Sequence, residues 1–104
     1  MKQEKFIISV GLNDKETKTQ IITTDEALNL VNKTVLNGFG GATIYLANGI
    51  YKHDNGQIVC ENTIRIELLF STLEDVRNLC KELKTIFNQE SILLEHQVLN
   101  ADFI

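Results

Sequence analysis

Residues Gln57 to Phe70 alternate. Ile58, Cys60, Ile64, Ile66, Leu68 and Phe70 share one parity, and Glu61, Thr63, Arg65 and Glu67 share the other. Side chains along a strand point to opposite faces in turn, so this run is a strand with one oily side and one polar side. A sheet built on it must be covered on one face only. The rest of the chain has to supply that cover.

Two segments have the helical period the cover needs. Thr23 followed by Glu26 fits a capping box, and Ala27, Leu28, Val31 and Val35 then fall on one face before Asn37-Gly38 ends the run. Ser71 and Glu74 make a second capping box. Behind it, Leu73, Val76, Leu79, Cys80, Leu83, Ile86 and Phe87 trace an apolar stripe, with Lys81 and Lys84 toward the negative end of the helix. Proline is absent, so glycine punctuates the remaining strands. Phe6 to Val10 is a first strand bounded by Gly11, and the polar stretch from Leu12 to Gln20 reads as a mobile surface loop. Ala42 to Lys52 is a second strand, bent by a bulge at Asn48-Gly49, and Asp54-Asn55-Gly56 is the hairpin turn into the alternating strand. Ser91 to Val98 is the last strand, and Asn100 to Ile104 forms a short tail.

The order is β-α-β-β-α-β. Two right-handed crossovers around a central hairpin give an α+β, ferredoxin-like split βαβ sandwich, a four-stranded antiparallel sheet with both helices on one face. The 104 residues, with no linker or repeat, make a single domain over 1–104. The uncovered sheet face is then solvated, or paired with a second copy as a homodimer or other homo-oligomer.

Several classes of function are disfavoured. A formal charge of −4 does not suit a general phosphate-binding surface. An RRM-like sheet stacks bases on paired aromatics ringed by cations, whereas here Tyr45 stands beside Glu61 and Glu67, so no nucleic-acid partner is expected. No stretch is long and apolar enough to span a bilayer, and the start lacks the pattern of a secretion signal, so a cytoplasmic protein without a membrane partner is expected. Cys60 and Cys80 read as reduced, packed thiols. His53 at the hairpin tip and His96 in the last strand have no partner at ligand spacing, so neither metal nor cofactor is expected. Gly38-Phe39-Gly40-Gly41 precedes a strand, the reverse of a phosphate-cradling loop, and reads as a hinge.

Three motifs carry a resemblance: Gly41-x-Thr43 leading to Gly49-x-Tyr51, Gly56-x-Ile58-x-x-Glu61, and Phe87-Asn88-Gln89-Glu90-Ser91-Ile92. Together, from about Ala27 to Val98, they resemble an uncharacterised family of small bacterial proteins with Gly-x-Thr, Gly-x-aromatic and Phe-x-Gln-Glu-Ser-Val signatures. Many of its members look like exported lipoproteins, a feature this chain departs from. The resemblance implies the ferredoxin-like fold and no assigned activity.

Two groups of residues are candidates for function. The polar sheet face offers Thr43, Tyr45, Glu61, Thr63, Arg65 and Glu67 as a binding surface, with the Tyr and Arg that interfaces favour. Gln89, Glu90 and Ser91 form the second, where Gln89 and Ser91 satisfy backbone groups at a helix end and Glu90 is a polar anchor or general base beside Glu61. No catalytic constellation is apparent. The expected function is therefore a non-enzymatic, self-associating module that binds a protein or small ligand. One alternative is a small enzyme of the dimeric α+β barrel type, with a pocket near Tyr45 and Glu61 and with His53 in reach. The other is an accessory or inhibitor protein of a mobile element.

Overall fold

The computed structural model describes residues 2–104. Its elements are β1 (Lys2–Gly11), α1 (Thr24–Leu36), β2 (Thr43–Lys52), β3 (Ile58–Leu69), α2 (Leu73–Ile86) and β4 (Leu93–Asn100). The strands form one sheet in the order β2-β3-β1-β4, and every pairing is antiparallel. This is the expected α+β, ferredoxin-like sandwich.

The two periodicities meet in the core. Phe6, Ile8 and Val10 of β1 and Ile64, Ile66 and Leu68 of β3 are fully buried against Ala27, Val31, Val76 and Leu83 of the helices. Burying each such side chain contributes roughly 1.5–3 kcal/mol. Helix α1 starts as expected, with the Thr23 hydroxyl accepting from the Glu26 amide at 3.3 Å. In α2 the cap lies one residue later than the Ser71 reading, because the Thr72 hydroxyl accepts from the Asp75 amide at 3.1 Å. Phe70, at φ 59°, turns the chain sharply before that cap.

Asn48-Gly49 is not a bulge. Pairing runs unbroken from Thr43↔Glu67 to Lys52↔Ile58, with Gly49 opposite Glu61. A Cβ at Gly49 would stand 3.3 Å from the Thr63 hydroxyl, a tight contact that a small shift of that side chain relieves. The real turn is at the hairpin tip, where Gly56 takes φ 86° and donates to the His53 carbonyl.

The hairpin outruns its cover. Pairing between β1 and β3 stops at Gly11↔Thr63, so the stretch from Asn48 to Asn62 projects as a two-stranded arm. Ile50 and Ile58 on that arm are 71% and 63% exposed, although Ile58 shares the parity of the core residues. The stretch from Leu12 to Gln20, read as a mobile loop, is a hydrogen-bonded unit. Leu12 is buried, Asn13 bridges to Gln20, and the Asp14 carboxylate accepts from the Glu16 and Thr17 amides.

Candidate functional site

The polar sheet face divides into two parts with different chemistry. Its middle is a closed network. The Tyr45 hydroxyl donates to Glu67 at 2.8 Å, and Lys5 pairs with Glu67 at 3.0 Å. Arg65 donates to Ser9 at 2.7 Å, to Glu95 at 3.0 Å and, more weakly, to the Tyr45 hydroxyl at 3.4 Å. Lys5 and then Tyr45 hold the Glu67 carboxyl below the usual carboxylate range, and the Tyr45 contact leads the causes that raise Arg65. These charges are occupied by one another. Thr63 points its hydroxyl back to the Glu61 carbonyl, and Thr43 lies toward the opposite end of the sheet from Glu61.

Glu61 belongs elsewhere. It lines a cleft of about 590 Å³ together with Gln89, Glu90 and Ser91. Three chain segments converge there: Asn13 to Lys18 after β1, the Tyr51-to-Glu61 part of the arm, and the link from α2 to β4. The two sets of residues singled out in the sequence are thus joined only in part. Glu61 and Glu90 share one wall-to-wall space, whereas Tyr45, Arg65 and Glu67 do not line it.

The geometry of the cleft is held from below. The Asn13 amide donates to Glu61 Oε2 at 2.9 Å, fixing a half-buried carboxylate. Gln89 is the one buried polar side chain among the described residues, and its amide donates to the Asn13 and Phe87 carbonyls at 2.7 and 3.2 Å. The Phe87 bond is the helix-end satisfaction expected of it; the Asn13 bond ties the link to the β1 loop. Asn88, in the left-handed region at φ 46°, donates to Asp14 at 2.8 Å and is the leading cause lowering that carboxyl. Glu90 and Ser91 are exposed and line the cleft. Tyr51 and His53 meet edge to face, with ring centroids 5.4 Å apart, at the other rim.

Sequence reasoning missed Tyr51, Gln57, Lys15 and Lys18. Tyr51 was within reach: without a bulge at Gly49, strict alternation from Tyr45 puts it on the polar face. The lysines had no signal, because only the folded loop brings them to the cleft. The cleft presents carboxylates, lysines and an aromatic rim to its interior. Among the described residues no cluster of His, Cys, Asp and Glu is arranged to hold a metal ion. No helix among them is long and apolar enough to cross a membrane. A second groove of about 670 Å³ lies at the other end, with Phe70 and Phe103 in contact at its rim.

Residues 5–103 match the family described as "Protein of unknown function (DUF3574)". The chain belongs to that family. No curated protein matches it. Among solved structures it is similar to a phage SAM lyase in complex with S-methyl-5′-thioadenosine, at 29% identity and a TM-score of 0.66, covering 91% of this chain and 80% of that one. It is also similar to a phage SAM lyase in the apo state, at 23% identity and a TM-score of 0.63, covering 99% and 93%. CutA from Synechococcus elongatus shares the fold at 20% identity and a TM-score of 0.54, covering 96% and 77%.

Proposed function

We propose that this DUF3574 protein binds S-adenosylmethionine in the Glu61–Glu90 cleft and cleaves it to S-methyl-5′-thioadenosine. The observation that carries this reading is the 29% identity, over 91% of the chain, to a SAM lyase that holds that thioether nucleoside. The cleft supports it chemically. The substrate carries an ammonium, which suits Glu61 or Glu90, and a carboxylate, which suits Lys15 or Lys18. A purine and its ribose need an aromatic surface and hydrogen-bonding groups, which Tyr51, Gln57 and Ser91 offer.

A lyase adds no water. The C–S bond breaks with its electron pair passing to sulfur, which leaves as the neutral thioether. The pair that replaces it comes from the substrate itself. It is supplied by the substrate's own carboxylate, closing a lactone, or by a C–H bond whose proton a base such as Glu61 or Glu90 removes. Positive charge on sulfur disappears in either route, so a carboxylate pressed against the sulfonium would stabilise the ground state more than the transition state. The cleft carboxylates therefore serve best by holding the ammonium and shaping the four-carbon fragment.

Self-association is part of the same proposal. Ile50 and Ile58 leave apolar surface on an arm that lacks helix cover, which favours burial against a second copy. The test is incubation of the purified protein with S-adenosylmethionine, followed by chromatography and mass spectrometry. S-methyl-5′-thioadenosine is expected, with kcat/KM falling about tenfold in Glu61→Gln or Glu90→Gln as the hold on the ammonium is lost. Bound substrate recovered intact would instead favour a non-enzymatic ligand-binding module, and no binding at all would overturn the proposal.

A further inference from the structure

Gly11 has no conformational reason to be glycine. It is the last residue of β1, opposite Thr63, without the left-handed φ that makes glycine necessary. Glycine gives up side-chain packing at this paired position, so something else must ask for it. That something is Glu61. A Cβ built on Gly11 would stand 2.5 Å from the Glu61 carboxyl carbon and Oε1, and 2.6 Å from Oε2. The carboxylate lies across the bare backbone of Gly11 and ends at the Asn13 amide, which donates to it at 2.9 Å.

We propose that Gly11 is the positioning residue of this cleft, the missing side chain that lets Glu61 cross β1 and be held by the Asn13 amide. The obstructed atoms are the far end of a flexible side chain, not backbone. Alanine at position 11 therefore leaves the sheet in place and turns the carboxylate out, breaking the Asn13 bond. Carboxylate direction then changes relative to the other charged groups around the cleft, Asp14, Lys15, Lys18, His53 and Glu90. Where the cleft works as proposed above, this sets how the cationic end of the ligand is held. The contact itself does not depend on that reading.

The experiment measures deuterium exchange at the Asn13 amide by NMR in the wild type, Gly11→Ala and Gly49→Ala. Gly49 is the strand-glycine control, since a Cβ there meets Thr63 and not the carboxylate. Exchange at Asn13 is expected to quicken about tenfold in Gly11→Ala and to stay at the wild-type rate in Gly49→Ala. Unchanged exchange in Gly11→Ala overturns the proposal. Should Gly11→Ala unfold, the double variant Gly11→Ala/Glu61→Ala decides: recovery of the Glu61→Ala melting temperature supports it, and equal unfolding overturns it. Turnover of S-adenosylmethionine is read separately, with kcat/KM expected to fall about tenfold in Gly11→Ala. A wild type inert toward that substrate defeats the proposed function alone, because the Asn13 measurement stands without it.

Discussion

The Gln89 side-chain amide donates to the Asn13 carbonyl at 2.7 Å, joining two segments 76 positions apart in the chain. Through Asn13, whose own amide holds Glu61, one buried side chain connects the link after α2 to the carboxylate on the arm. The three walls of the cleft are thus one hydrogen-bonded unit.

Gln89→Ala leaves the Asn13 and Phe87 carbonyls without this donor and opens a small void. A loss of about 1–3 kcal/mol in urea-denaturation stability is expected. On the proposed function, affinity for S-methyl-5′-thioadenosine measured by calorimetry is expected to fall in parallel, because Glu61 then rests on a loosened loop.

The cap of α2 separates two neighbouring hydroxyls. Thr72→Ala removes the acceptor for the Asp75 amide and is expected to cost about 1 kcal/mol. Ser71→Ala removes only a 3.4 Å contact to the Leu69 carbonyl, and its thermal melt stays within experimental scatter of the wild type.

Glu67 contributes to stability in a pH-dependent way. Its folded pKa lies below the ordinary value, chiefly through Lys5, so its contribution is present near neutrality and lost as pH falls through the folded value. Melting temperatures taken from about pH 6 down to about pH 2 should fall less steeply in Glu67→Gln than in the wild type. Part of the slope survives, because Asp14 is lowered in the same sense. At neutral pH the partly exposed pair with Lys5 contributes only about 0–1 kcal/mol.

The arm is where self-association is expected to respond. Ile50→Asp places a charge on the apolar surface beyond the helices while disturbing nothing buried, since Ile50 is 71% exposed. Sedimentation velocity should shift from an assembled species in the wild type toward the monomer in the variant, with the melting temperature of the monomer unchanged.

The strand alternation from Ile64 to Leu68 and the helical stripes ending in Val35 and Leu83 made the sandwich legible. Each pattern states which side an element must bury, and the split βαβ sandwich satisfies them together. Legibility failed where the same pattern lacked a partner. Ile58 and Cys60 keep the core parity yet stay exposed, because β1 ends at Gly11 and no helix reaches past it. It failed again at Asn48-Gly49, where a glycine within an unbroken ladder looks in sequence like one that makes a bulge. A bulge there leaves Tyr51 without an assigned face, whereas unbroken alternation from Tyr45 puts it on the polar side.

Local periodicity and capping residues by themselves determined the element order and the buried face, since each depends on neighbours a few positions apart. Tertiary structure alone decided that Glu61 stands with Glu90 while Glu67 pairs with Lys5 and Arg65 with Glu95, and that Gly11 makes room for a carboxylate from another strand. Those relationships join residues dozens of positions apart, and the closeness of their atoms is set by strand register and loop path, which no local pattern encodes.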